Sequence, residues 1–416
     1  MMKMKAILIV GDGMADRPIR KLADRTPLEA AKKPALDRLA TLGINGIIDI
    51  IAPGIPPGSD TAHLSIFGYD PFKVYQGRGV FEALGVGLEV KPGDIAFRCN
   101  FATVDDGLNV IDRRAGRIEG GPAEELAKSL QNLKLDEYPE VEIIYKHSTE
   151  HRGALILRGP GLSRMISDSD PEEAAAQVQV VKPLDNSQEA ANTAAILNKL
   201  THISHEVLEK HPVNMQRRSQ GLLPANILLF RGASSLPQLE SITSRYGIKA
   251  ACIAVTAIIR GVCISAGFRP IDVAGATGTV ETDTLAKGRA AVEALEKYDL
   301  IFLHVKGADN ASHDGSLEQK IRMIEKIDLM VGYILDKIDL EETYIALLAD
   351  HTTPLSVRNH TGDPVPIVIA GPEVIRDNVR CFSERDCAKG GLGRISGKDI
   401  MPILMNFLGK QRKFGA

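Results

Sequence analysis

Asp350 and His351 stand side by side at the end of an apolar run, TYIALLAD-H. Upstream, HVKGADNASHDG holds His304, Lys306, Asp309, His313 and Asp314. Downstream, RNHTGDPVP holds His360, and near the N-terminus the strand-like AILIV runs into GDGMAD, placing Asp12 just past it. Carboxylates and imidazoles gathered at the ends of separate strands are the material of a two-metal site, in which oxygen and nitrogen donors hold divalent cations. An isolated Asp-His pair reads as a solvated loop. Several such fragments, each just beyond a strand-like segment, read as one constellation.

The spacings refine this. Asp309 and His313 are four apart, so a helix after Gly307 would turn both to one side, as chelation of one ion requires. The same stretch reads equally as a helix start, with Asn310 or Ser312 capping SLEQK. Asp12 lies between Gly11 and Gly13, which permit close backbone approach or positive φ; a tight turn closed by an Asx bond fits too. Ser59 follows Pro56, Pro57 and Gly58 and opens a helical pattern. A hydroxyl at a helix N-terminus, beside a dication, can lose its proton and attack phosphorus. An ordinary serine N-cap gives the same local sequence. Lys306, two residues after His304, would face the same side of an extended strand and neutralise a phosphoryl oxygen. GATGTVETD (275–283) matches neither dinucleotide nor P-loop spacing.

Arginines collect in the middle of the chain: Arg113, Arg114 and Arg117 in DRRAGRI, Arg152 after His151 in HRG, and Arg231 in LLFRG, with Arg78 just before them in YQGRG. Guanidinium groups pair bidentately with phosphate and carboxylate. Each of these arginines is also compatible with a surface turn.

The elements that would position these groups fall into two patterns. A strand over 6–10, a loop to 27 and a helix over about 28–41, with Thr26 as N-cap and Pro27 in its first turn, open the chain. From about residue 240, strands (KAACIAVT, DLIFLHVKG, TYIALLAD, VPIVIAG) alternate with helices (TLAKGRAAVEALEKY, SLEQKIRMIEKIDLMVGYILDKI). That alternation predicts a mostly parallel sheet flanked by helices. Between them the character changes. The stretch 87–112 reads as successive short strands, VEIIYKHS and HRGALILRG as a strand pair, and 187–212 as a long helix, an α+β pattern. Asp12 and Ser59 precede this segment and the other candidate ligands follow it. One discontinuous α/β domain, 1–85 plus 240–416, interrupted by an inserted domain, 86–239, places every candidate at strand carboxyl ends of one sheet, where open α/β sheets hold ligands.

With 416 residues the chain exceeds one ordinary core. Its net charge of -3 carries no basic excess, which argues against nucleic-acid or membrane-surface partners. Five cysteines without CxxC spacing argue against disulfides and thiolate zinc. No apolar stretch approaches the roughly 18 residues needed to cross a bilayer, and the cytoplasm is the expected location.

Taken together, the fragments resemble the alkaline-phosphatase superfamily, and within it the archaeal-type 2,3-bisphosphoglycerate-independent phosphoglycerate mutases. The resemblance runs end to end, through GDGMAD, PPGSDTAHLSIFGYDP, VYQGRG, FRCNFATVDD, DRRAGRIEGG, HRGALILRG, HVKGADNASHDG, ADHTTP and NHTGDPVP. It implies a phosphatase-like, mostly parallel sheet with an inserted smaller α+β domain that binds substrate. It implies two divalent cations (manganese, magnesium, zinc or cobalt), one at Asp12, Ser59, Asp350 and His351, the other at Asp309, His313 and His360. Ser59 would be the phosphorylated nucleophile and Lys306 its support. Arg78, Arg113, Arg114, His151, Arg152 and Arg231 would bind a small phosphorylated three-carbon acid. The reaction implied is the exchange of 3- and 2-phosphoglycerate in glycolysis and gluconeogenesis through phosphoserine, with no bisphosphoglycerate primer and with water excluded. A metal-dependent phosphatase or sugar-phosphate mutase on the same core is the alternative. The chemistry leaves room for a homo-oligomer.

Overall fold

The computed structural model describes residues 4–131 and 133–415. The chain divides into two units, 1–75 with 239–416, and 76–238.

The first unit is built on an eight-stranded sheet. From one edge to the other its strands are Gly393–Ser396, Gly43–Asp49, Val365–Ala370, Thr343–Leu348, Lys5–Gly11, Leu300–Val305, Ala250–Ile253 and Arg269–Pro270. All run parallel except Val365–Ala370, which is antiparallel to both neighbours. The central strands are almost entirely apolar because both faces are covered: every residue of Leu300–Val305, Thr343–Leu348 and Val365–Ala370 is buried. Among the helices on this sheet, Leu317–Lys337 turns Met323, Ile324, Ile327, Met330, Val331 and Ile334 inward at helical spacing.

Register does the positioning. Val10 lies opposite His304 on one side and opposite Leu348 on the other. Three adjacent parallel strands therefore end level, and the residues that follow, Asp12, Lys306 and Asp350, emerge side by side at their carboxyl ends.

The opening helix is two helices, Pro27–Ala30 and Pro34–Leu42. Pro34 bars Lys33 from helical geometry, and Lys33 adopts φ -137°, ψ 56°. Thr26 caps the first as expected, its Oγ1 accepting from Glu29 N while Glu29 accepts from Thr26 N.

The second unit is an antiparallel sheet in the order Val110–Asp112, Ile95–Val104, Arg152–Arg158, Glu142–His147, with Ile227–Ser234 also paired to Ile95–Val104. The helices Gly120–Ser129 and Gln188–Glu209 supply Ala123, Leu126, Ala190, Ala194 and Leu197 to one core with Phe97, Phe101, Leu155 and Phe230. Two expectations change here. The stretch 87–112 holds one ten-residue strand, Ile95–Val104, and a short second one. The insertion also begins at 76 rather than 86, because the helix Gly79–Gly85 lies on the Ile95–Val104 strand. A Cβ on Gly79 would come within 2.2 Å of the Ala96 carbonyl oxygen. Cys99, Cys252, Cys263 and Cys387 are buried and Cys381 exposed, all as free thiols. Among the described residues, no helix is long and apolar enough to cross a membrane.

Candidate active site and metal centre

At the carboxyl edge of the first unit's sheet, the three central strand ends bring three carboxylates together. Gly13 N donates to Asp350 Oδ1 at 3.1 Å, which closes the turn after the first strand on the turn after Thr343–Leu348. Gly13 has φ 63°, and a Cβ there would lie 2.7 Å from that of Asp309, so glycine is needed for the approach. Asp309 and His313 do lie on one helix, Gly307–His313, with His313 Nε2 3.3 Å from Asp309 Oδ1. His360 Nε2 approaches the same oxygen at 3.4 Å. On the other side, His351 Nε2 lies 3.3 Å from both Asp12 Oδ1 and Asp350 Oδ2.

The imidazoles share one arrangement. His313 Nδ1 is 2.8 Å from the Arg358 carbonyl, His360 Nδ1 2.8 Å from the Pro57 carbonyl, and His351 Nδ1 2.8 Å from Thr353 Oγ1. A carbonyl only accepts, so Nδ1 of His313 and His360 carries hydrogen and Nε2 is the atom turned to carboxylate. This is how proteins prepare histidine for a metal. His351 and His360 stack with ring centroids 3.5 Å apart.

The buried polar atoms are not all satisfied by protein. Asp350 Oδ2 and His351 Nε2 lie fully buried with no hydrogen-bond partner. Two lone-pair atoms facing each other across 3.3 Å, with Asp12 beside them, are costly unless a positive charge lies between. Asp12, Asp350 and His351 form one group whose donor atoms could hold a cation, and Asp309, His351 and His360 form a second. The donor set, carboxylate oxygen and imidazole nitrogen, suits divalent ions of the manganese-to-zinc range.

Lys306 lies between the groups, its Nζ 3.0 Å from Asp12 Oδ2 and 2.6 Å from Asp309 Oδ2. Burial alone would lower its pKa, but Asp12, Asp309 and Asp350 outweigh burial and push it up, so it stays an ammonium. Burial would likewise raise Asp12, yet Lys306 and the bond from His304 hold it well below the usual carboxylate range. Asp350 moves the other way: burial and the charges of Asp12 and Asp309 push it well up. The strand ends at Val305, so Lys306 does not reach Asp12 as a strand neighbour of His304. It turns into the helix start, with φ -79° and ψ -25°, and both side chains still converge on Asp12.

Ser59 is the first residue of the helix Ser59–Ile66, and Gly58 occupies the cap position. Thr61 Oγ1 accepts from Gly58 N at 3.0 Å, so the cap does not use the Ser59 hydroxyl. Nor does Asn310 or Ser312 cap the helix Leu317–Lys337; Ser316 does. The backbone at Ser59 is held from both sides. His63 Nδ1, one turn on, lies 2.7 Å from the Ser59 carbonyl and 3.9 Å from Asp350 Oδ2, while His360 holds Pro57. His63 was not singled out from the sequence, although its i+4 spacing from Ser59 is visible there. Burial and the neighbouring His304 lower its pKa to about 3, so the ring is neutral.

The second unit gathers the arginines. Arg78 and Arg98 both lie on Glu82, at 3.1 and 3.5 Å. Arg98, unremarked in the sequence, is the least exposed of these arginines: burial and the adjacent Arg78, Arg231 and Arg152 lower it to about 9, against the pull of Glu82. Burial and the positive field of Arg152, Arg98, Arg114 and Arg117 drive His151 down to about 3. Arg152 and His151 share Glu150, at 3.6 and 3.8 Å. Arg113 is differently placed. Its Nε and Nη2 grip Asp170 at 2.8 Å each and its Nη1 the Glu172 carbonyl, so it braces the 168–172 segment, with Arg231 3.5 Å from Asp170.

Comparison with known proteins gives the family. The sequence is 51% identical over 414 residues to a 2,3-bisphosphoglycerate-independent phosphoglycerate mutase of Methanothermobacter thermautotrophicus, covering 99% of this chain and all of that one. The chain belongs to that family. A family model described as 2,3-bisphosphoglycerate-independent phosphoglycerate mutase matches residues 40–214. The Methanocaldococcus jannaschii mutase is 50% identical over both full lengths. Among solved structures, a Pyrococcus horikoshii protein superposes with TM-score 0.85 at 40% identity, covering both chains completely. A cofactor-independent phosphoglycerate mutase of Thermoplasma acidophilum does so with TM-score 0.71 at 37% identity, over 98% of this chain and all of that one. The matches span both units, so the insertion is part of the family's architecture. As a member of this mutase family the chain is an isomerase acting on phosphoglycerate.

Proposed function

We propose that the chain exchanges 3-phosphoglycerate and 2-phosphoglycerate through a phosphorylated Ser59, at a site holding two divalent cations. One cation would be held by Asp12, Ser59, Asp350 and His351, the other by Asp309, His313 and His360. The observation that carries this reading is the pair of unpartnered buried atoms, Asp350 Oδ2 and His351 Nε2, turned toward Asp12 beside the start of the Ser59 helix. Bound cations supply Lewis-acid stabilisation of the attacking and leaving oxygens.

The chain's own groups do the rest. Ser59 Oγ attacks the phosphorus as the bond to the 3-oxygen breaks. The 2-hydroxyl of the retained glycerate then attacks, and the bond to Ser59 breaks. The proton leaving Ser59 goes to the departing 3-oxygen, and the proton leaving the 2-hydroxyl goes back to Ser59. Lys306, fixed as an ammonium between Asp12 and Asp309, lowers the cost of charge on the phosphoryl oxygens. The N-terminal end of the helix Ser59–Ile66, with its positive field, acts in the same sense. On the inserted unit, Arg78, Arg98, Arg114, Arg152 and Arg231 form the positive field that the carboxylate and phosphate of the substrate require. Tight retention of glycerate is what separates a mutase from a phosphatase on such a core.

The test is an assay of metal-stripped protein, re-supplied with single divalent ions and no bisphosphoglycerate, reading 2-phosphoglycerate and free phosphate in parallel. Metal-dependent 2-phosphoglycerate with little free phosphate is expected. Dominant phosphate release, or a requirement for the bisphosphate, overturns the reading.

A further inference from the structure

Thr353, the second threonine of ADHTTP, is fully buried and touches both candidate cation groups. Its Oγ1 lies 3.0 Å from Asp309 Oδ1 and 2.8 Å from His351 Nδ1. In the proposed arrangement Asp309 holds one cation and His351 the other, and 44 and 2 residues separate them from Thr353 in sequence.

A hydroxyl has one proton to give and lone pairs to accept with. Asp309, with the Lys306 ammonium at 2.6 Å, is a carboxylate and can only accept. The threonine proton therefore goes to Asp309, and the hydroxyl must accept from His351. That requires hydrogen on His351 Nδ1 and leaves Nε2 as the bare, metal-binding nitrogen. One proton thus sets the tautomer of one ligand and the orientation of the other.

The hydroxyl is held firmly enough for this. Thr353 N donates to the Ala15 carbonyl at 3.3 Å, and the Thr353 carbonyl accepts from the buried Lys320 at 2.9 Å. Thr352 bridges to Ala15 in one direction and to Thr361 in the other. The side chain is pinned through segments that themselves carry Asp12 and His360.

We infer that Thr353 is a positioning residue that couples the two cation sites, fixing the His351 tautomer and the Asp309 carboxylate through a single hydroxyl. The inference rests on the two-cation reading. Removing such an outer partner lowers metal affinity roughly 10–100-fold. Because the hydroxyl is shared, Thr353→Val weakens both sites together, whereas Thr353→Ser preserves them.

The experiment titrates the metal-free full-length chain with Mn2+ and follows free Mn2+ by electron paramagnetic resonance. The wild type and Thr353→Ser are expected to take up two ions tightly, and Thr353→Val to bind both roughly 10–100-fold more weakly. Unchanged affinities in the valine variant, or a loss confined to one ion, overturn the inference. A wild-type chain that takes up no Mn2+ overturns the two-cation reading and the inference with it. Nitrogen-15 NMR of the metal-free wild type gives a readout that needs no variant to fold. His351 Nδ1 is expected as the protonated nitrogen, and a hydrogen-free Nδ1 overturns the inference.

Discussion

Lys320 Nζ lies 2.7 Å from Asp16 Oδ2, with neither side chain open to solvent. The same ammonium donates to the carbonyls of Ala15 and Thr353, so one helix residue ties the turn after the first strand to the turn after Thr343–Leu348. Breaking such a pair leaves a carboxylate buried and unopposed. Lys320→Met is expected to cost roughly 3–5 kcal/mol, read as a lower midpoint in urea unfolding. An unchanged midpoint would show that Asp16 finds another partner.

Ser59→Ala should abolish isomerisation, by at least about 10³-fold on the usual loss for an essential nucleophile. Gly58, Thr61 and His63 hold the helix start without the hydroxyl, so the unfolding midpoint should stay near wild type. Intact-mass measurement after incubation with substrate should show no phosphorylated protein in the variant.

Chelation of divalent ions should remove activity and lower thermal stability together. A ligand at 100 times its dissociation constant stabilises the native chain by about 2.7 kcal/mol. Differential scanning calorimetry with and without added Mn2+ reads this directly, and equal melting temperatures would contradict a bound cation.

Arg98→Met should raise KM for 3-phosphoglycerate by roughly 10–100-fold, the scale of one charge-assisted hydrogen bond, and change kcat less. Glu82 keeps Arg78 as a partner at 3.1 Å, so the fold should survive. Steady-state kinetics decides. An unchanged KM would mean that the guanidinium serves only Glu82 and Asn100.

His151 gives a pH prediction. Its folded pKa of about 3 lies below the ordinary histidine value of about 6.5. Above pH 6.5 the ring is neutral folded or unfolded and contributes no slope. As pH falls from about 6.5 toward 3, the unfolded chain takes up a proton that the native chain refuses, so stability falls. His151→Gln should flatten that acid slope in denaturant titrations between pH 6.5 and 4. An identical slope would place the loss elsewhere.

Asp12, Asp309, Asp350 and His351 were legible because each follows a strand-like run within a few residues, His313 because it lies four residues after Asp309, and His360 because it comes shortly before another such run. Lys320, Thr353, His63 and Arg98 were not. A lysine on an amphipathic helix reads as solvated, and only Asp16, 304 residues away, makes Lys320 a buried cation. A single charged residue inside the mostly apolar Ile95–Val104 strand was the available sign for Arg98. The helix break before Pro34 could have been read from the proline itself. The start of the insertion could not, because Gly79–Gly85 joins it through contact with a strand that follows in the sequence.

The order of the sheet bears on how the chain is made. The strand Lys5–Gly11 is synthesised first but lies between Leu300–Val305 and Thr343–Leu348, so it waits for most of the polypeptide before it has a neighbour. The inserted unit is contiguous and carries its own core, so it can form on the ribosome while that first strand is still unpaired. Nascent chains halted shortly after residue 238 should already resist protease across 76–238 and be cut freely before it.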